Sequence, residues 1–483
     1  MNTATMLQPK KNKVYHGTFI HSTSLDTLEY LHNTSVFVDV SGKIVAVEKD
    51  VDLDTALSSV LPKLGWSEKK DDIAVEKIKE GSQFFFPGFI DTHLHASQYP
   101  NVGIFGKSTL LDWLNRYTFP LEASLSDLSK ARAVYARCIR KTLSHGTTCA
   151  AYYATVDVAS TNLLADLCSR AGQRALVGRV CMDSTLSPEW YRDESAEQSL
   201  AATRESIAYI NKLDGGDEGI VRPVITPRFA PSCSPELLKG LGELAAETGL
   251  PVQTHISENA GEIRLVKELF PPSLTGAKGD SYAEVYDAYG LLTDKTILAH
   301  GVHLSEEEAG LISKRGAKVS HCPCSNSAIT SGAARLRWLL EKGVTCGLGT
   351  DMSGGYSPSV LEAARQASLV SRHVAMGGDE GAKLSVEEVL YLATRGGAEV
   401  VGLREKVGGF EVGMEWDAQL VVLGEVDENG EVKGMEEGEG EDGNVDVFGW
   451  ESWEERVAKW LFNGDDRNTR KVWVKGRLVH ERK

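Results

Sequence analysis

From Gly88 to about Gly355, short apolar runs alternate with longer amphipathic stretches. The runs are "GFIDTHLH", "TTCAAYYAT", "ALVGRVCM", "VRPVITPRF", "PVQTHISE", "TILAHGVHL", "AKVSHCPCSN" and "VTCGLGTD". Segments of helical periodicity, such as "PELLKGLGELAAETG" and "SEEEAGLISKRG", lie between several of them. Strand-then-helix units repeated eight times over roughly 250 residues predict an α/β fold closed as a (β/α)8 barrel. A doubly wound open sheet is the alternative, but no G-x-G-x-x-G turn follows any of the runs.

The flanks carry a different pattern. "VYHGTFIHS" and "SVFVDVSGKIVAVE" near the start, and "WDAQLVVLG" and "RKVWVKGRLVHER" near the end, read as strands. Together they suggest one composite small β-domain built from both chain ends. The expected division is residues 1–87, a barrel over 88–405, and 406–483. Two stretches look peripheral: the polar insertion 49–80 and the acidic, Gly-rich loop 427–444, expected to be flexible. Trp450, Trp453 and Trp460 sit at helix-like spacing and are expected to pack a helix.

Composition narrows the functional classes. The 483 residues carry a net charge of −16 and no basic stripe, which argues against a nucleic-acid partner. No apolar run is long enough to span a bilayer, and the first residues have no apolar signal segment. Eight scattered cysteines fit a reducing, cytoplasmic setting, with Cys322 and Cys324 read as buried or loop thiols.

The candidate chemistry lies where the apolar runs end. His93 and His95 close the first run one residue apart, so on a strand both side chains point the same way. The fifth run ends in His255, the sixth in His300 and the eighth in Asp351. In a barrel these positions converge at the C-terminal mouth. Imidazoles plus a carboxylate suit a divalent transition metal such as zinc or iron. Five candidates exceed the usual ligand count, so one is left for a neighbouring role. Glu258, three residues past His255, can move protons between water and a substrate nitrogen. His145, His303 and His321 lack such partners and are read as structural.

In this order, "PGFIDTHLHAS", "THISE", "LAHG", "HCPCSN" and "GTDMSGG" resemble the amidohydrolase superfamily. The longer segments "LLDWLNRYTFPLE", "TPRFAPSCS" and "GLGTDMSGGYSPSVLEAARQA" are similar to its branch that acts on guanine. The resemblance spans about Gly88 to Arg404 and the flanking strands, leaving out 49–80 and the acidic loop. It implies a barrel with a small β-sandwich, one divalent metal (zinc, with iron possible), a homodimer and hydrolytic deamination of guanine at C2 to xanthine and ammonia. Carried onto this chain, it implies His93, His95, His255 and Asp351 as metal ligands, Glu258 as proton shuttle, and His300 beside the metal with Asp351 in the catalytic set. His255, Glu258, His300 and Asp351 would also face the substrate. Two-metal members use a carboxylated lysine at the end of strand four; here "VITPRF" offers Arg228 instead, which implies one metal. Arg228 would donate to the purine carbonyl, Gln98 would read the ring edge, and Phe229 would stack on the base. Trp113 is a candidate cover for the site. The rivals are deamination of 8-oxoguanine, a pterin or a triazine on the same metal centre and, more remotely, a non-catalytic assembly protein. The H-x-E and P-C-x-x-C motifs of another zinc deaminase design are absent.

Overall fold

The computed structural model describes residues 11–67, 73–107, 110–213, 219–277, 279–433 and 444–482. The N-terminal part forms β1 (Asn12–Ser24), β2 (Thr27–Val38), β3 (Ile44–Glu48), β4 (Ile73–Lys77) and β5 (Gln83–Pro87). All eight apolar runs then form strands. They are β6 (Phe89–His95), β7 (Thr147–Tyr153), β8 (Arg174–Gly178) with β9 (Val180–Cys181), β10 (Val221–Pro223) with β11 (Thr226–Pro227), β12 (Val252–Ile256), β13 (Thr296–His300), β14 (Lys318–His321) and β15 (Thr345–Leu348). The C-terminal part adds β16 (Ala418–Val422), β17 (Gly424–Val426), β18 (Val432–Lys433), β19 (Asp446–Val447), β20 (Thr469–Val474) and β21 (Arg477–Glu481).

The strands of the eight runs are parallel and pair in chain order. Two seams join the resulting sheets. Ile225 bridges Val252 between the fourth and fifth runs. Between the eighth and the first, Asp351 N–H donates to the His93 carbonyl at 2.9 Å, and His95 N–H to that of Met352 at 3.0 Å. Backbone hydrogen bonds therefore run round a ring, with helices between successive strands along the chain. Every residue of β6 and β7 is buried, as expected for parallel strands covered on both faces. The helices carry their own start and stop signals. Pro235–Thr248 opens on Ser234, whose Oγ accepts from Leu237 N–H at 3.1 Å, and ends at Gly249, whose φ of 65° a Cβ would oppose.

Both chain ends contribute to one further sheet, ordered β21-β20-β16-β5-β1-β2-β3, with β4 against β1. Its core is aromatic, with Tyr15 stacked on Trp416 at 4.1 Å. The sheet is tied to the ring by the buried Arg174 guanidinium, which donates to Glu415 at 2.7 Å and to Asp417 at 3.0 Å.

Two expectations change. The insertion 49–80 is not merely peripheral: Leu53–Val60 is a helix packed on the terminal sheet, and β4 pairs in parallel with β1. Of the three tryptophans, Trp460 is buried and stacks on Phe89, while Trp450 precedes the helix Trp453–Asn463 and is 79% exposed. Residues 434–443 of the acidic loop lie outside the described residues.

Candidate active site and metal centre

The ring brings His93, His95, His255, His300 and Asp351 to one end. His93 and His95 occupy the last turn of β6 alternation, His255 lies in β12, His300 ends β13, and Asp351 follows β15. One donor atom from each of His93, His95, His255 and Asp351 lies within 4.8 Å of the others. His93 Nε2 stands 3.2 Å from Asp351 Oδ1, and His95 Nε2 stands 3.2 Å from His255 Nε2. His93 Nε2 is buried without a hydrogen bond. Three imidazole nitrogens and a carboxylate converging on one point, one of them an orphan, fit a divalent cation.

Neighbouring groups orient these donors. His255 Nδ1 lies 2.6 Å from the Arg228 carbonyl, which can only accept, so the proton sits on Nδ1 and Nε2 keeps its lone pair for the cluster. His300 Nδ1 meets Asn326 Oδ1 at 2.9 Å, leaving Nε2 toward Glu258 Oε2 at 3.5 Å and Asp351 Oδ2 at 3.7 Å. Asp91 clamps the seam behind the ligands, accepting from Thr350 N–H at 3.0 Å and Thr350 Oγ1 at 2.6 Å.

Charge follows from burial and these contacts. Burial pushes the His93, His95 and His255 imidazoles down from the ordinary histidine range, which keeps them neutral and ligand-ready. Burial alone would raise Asp351, but the His93 contact and the surrounding imidazoles hold its carboxyl far below the usual range. Burial pushes the Glu258 carboxyl up to about 7, so it carries or gives up a proton near neutrality. Burial would lower His300, but Glu258 and Asp351 raise it. Three non-glycine residues here adopt left-handed backbone: Ser257 (φ 48°), His300 (φ 76°) and Asp351 (φ 45°). Such conformations persist where the surroundings over-determine them, and they cluster at functional sites.

A cavity opens beside the cluster, lined by His95, Gln98, Trp113, Arg228, Phe229, Glu258, His300 and Asp351 among others. Every site residue expected from the sequence therefore borders either the cavity or the ligand cluster. Trp113 is buried, with its indole N–H donating to the Ile104 carbonyl at 2.9 Å. His321 is buried outside the ligand set, and His145 follows the helix Leu128–Ser144 as its C-cap.

Sequence reasoning missed four residues that hold the site. They are Asp91, Asn326, Ser331 (Oγ donating to Glu258 at 3.3 Å) and Glu122, which binds both Arg228 and Gln98. The available signal was indirect: a buried arginine implies a buried carboxylate, and an oriented imidazole implies an acceptor on its other nitrogen.

A ring of parallel strands whose ends present histidines and an aspartate to one cation is the arrangement of a metal-dependent hydrolase. The chain belongs to the amidohydrolase family, whose model matches residues 84–479. It is 49% identical to the probable guanine deaminase of Schizosaccharomyces pombe over 96% of this chain and 83% of that protein. It is 38% identical to guanine deaminase of Homo sapiens over 98% and 97% of the two chains. Among solved structures, guanine deaminase from C. acetobutylicum with guanine bound in its active site superposes with a TM-score of 0.81. That pair is 33% identical, covering 97% of this chain and all of the other.

Proposed function

We propose that this chain hydrolyses guanine at C2, with water adding as ammonia leaves and xanthine remaining. The observation that carries the reading is the convergence of four ligand atoms within 4.8 Å beside a cavity that also holds Glu258, Arg228, Gln98 and Phe229. Near full-length similarity to guanine deaminases supports the choice of base. The reading includes a (β/α)8 barrel for the ring, a small β-sandwich domain for the composite sheet, and zinc as the metal. It also includes a homodimer in a reducing cytoplasm; the eight buried free thiols support the compartment.

His93, His95, His255 and Asp351 hold the metal, which when bound supplies the Lewis acidity that makes water a nucleophile at neutral pH. The chain's own groups do the rest. Arg228 donates to the 6-carbonyl and repels an amino group there, which selects guanine over adenine. Gln98 reads the ring edge and Phe229 covers a face of the base. Asp351 or His300 accepts the proton that water sheds. Glu258 places a proton on N3 as oxygen adds at C2, so charge does not build on the ring. The proton taken from water passes to the 2-amino group, Glu258 takes back the proton of the added hydroxyl as the C2 carbonyl forms, and the C–N bond breaks to release ammonia.

Ultraviolet absorbance with parallel ammonia release tests this on metal-replete protein given guanine, adenine, 8-oxoguanine and a pterin. Xanthine and ammonia from guanine, with adenine inert, are expected. Turnover of another amino-heterocycle with none of guanine would overturn the substrate and leave the metal centre standing.

A further inference from the structure

The wall that reads the base rests on one carboxylate that does not itself line the cavity. Glu122 lies on the short helix Phe119–Ala123 and its side chain is fully shielded from solvent. Its Oε2 accepts from Arg228 Nη1 at 2.6 Å and from Tyr191 OH at 2.7 Å. Its Oε1 accepts from Gln98 Nε2 at 2.8 Å and from Arg228 Nη2 at 3.3 Å. With Ser97 Oγ, which donates to Oε1 at 3.5 Å, five hydrogen bonds converge on this carboxylate, so its accepting capacity is filled. Phe119, from the same helix, lies 5.0 Å from the Arg228 guanidinium, ring beneath cation.

This arrangement removes two ambiguities. A glutamine amide can present its donor and acceptor ends either way round, but Nε2 of Gln98 must face the carboxylate, while Oε1 accepts from Ser353 Oγ at 3.3 Å. A guanidinium can rotate about its stem, but bidentate pairing fixes its plane and leaves its remaining donors facing one way. We propose that Glu122 is the positioning residue of the base-reading wall: it locks the Gln98 amide and the Arg228 fork into one donor–acceptor pattern, complementary to a 6-oxopurine. The inference rests on Arg228 and Gln98 reading the base, as in the proposed function. Solvent-free ion pairs are weak sources of stability, so specificity is the better account of why this one is buried.

The test compares two unreactive competitive inhibitors, hypoxanthine, which keeps the 6-carbonyl, and purine, which lacks it. Their inhibition constants are measured on wild type, Glu122→Gln, Glu122→Asp and Arg228→Gln, all checked for metal content and thermal unfolding. In Glu122→Gln the preference for hypoxanthine over purine should fall about 10-fold, the worth of one well-placed hydrogen bond, with purine affinity nearly unchanged. The loss of kcat/KM for guanine should appear mainly in KM. Glu122→Asp keeps the charge but withdraws it by one methylene, and should shift the preference the same way; it carries the test if the glutamine variant does not fold. Equal weakening of both inhibitors in the Glu122 variants would mark a merely structural residue and overturn the inference. A preference lost in Arg228→Gln but intact in the Glu122 variants would also overturn it, with the reading of Arg228 surviving. A preference unchanged in Arg228→Gln would overturn the reading of the wall itself, and the inference with it.

Discussion

The two sides of the cavity are built differently. At the metal end, donors project from the same end of several ring strands, and each stands on backbone hydrogen bonds that the ring itself provides. The proposed base-reading wall is assembled by segments between strands: Gln98 from the turn after β6, Glu122 from the short helix Phe119–Ala123, Arg228 from just past β11, and Tyr191 from a short turn. Side-chain contacts hold that wall together. Chemistry is thus anchored to the rigid scaffold, and selectivity to loops that can vary without disturbing it.

Variants can break this comparison. Asp351→Asn should have the largest effect, abolishing both metal retention, read by elemental analysis, and turnover of every base. Glu258→Gln should keep the metal and lower kcat by ~10²–10⁴-fold, the usual contribution of positioned acid–base catalysis; near-normal turnover would remove Glu258 from the mechanism. Arg228→Gln should spare the metal and act through KM and base preference, about 10–100-fold, since one charged hydrogen bond is worth roughly 1.5–3 kcal/mol. Asn326→Ala frees the His300 ring without touching a ligand, and a smaller loss of about 10-fold in kcat is expected. If Arg228→Gln depleted metal, or Asn326→Ala altered base preference, the two sides would not be separable.

A last and smallest effect lies far from either wall. Burial pushes the His145 imidazole down to about 4. Its unfolded counterpart titrates near the ordinary value of about 6.5, so between these values the unfolded chain binds more protons. Its contribution is therefore complete above pH ~6.5 and is lost as pH falls toward ~4. Thermal melts of His145→Asn should fall less steeply than wild type across that window.

The metal end was readable because apolar runs ended in histidine or aspartate, and a strand's period sets which way each side chain faces. The reading wall was only half readable. Arg228, Gln98 and Phe229 entered through resemblance, but "TFPLEASLS" offers its one acid, Glu122, with no partner near it in sequence. Glu122 meets its partners across 24, 69 and 106 residues, separations that no local pattern encodes. Asn326 was hidden similarly, beside a cysteine pair rather than near its histidine. β4 was overlooked because a five-residue strand amid polar residues gives too short an alternation to stand out, and its partner β1 decides it.

The eight free cysteines are all buried, and they are spread through the ring and its helices, from Cys138 on the first long helix to Cys346 in the last strand of the ring. That gives the molecule a built-in clock. A thiol reagent that ignores the native protein will mark each region as it opens, so timed alkylation read by mass can order the opening of the ring and its helices without one engineered label.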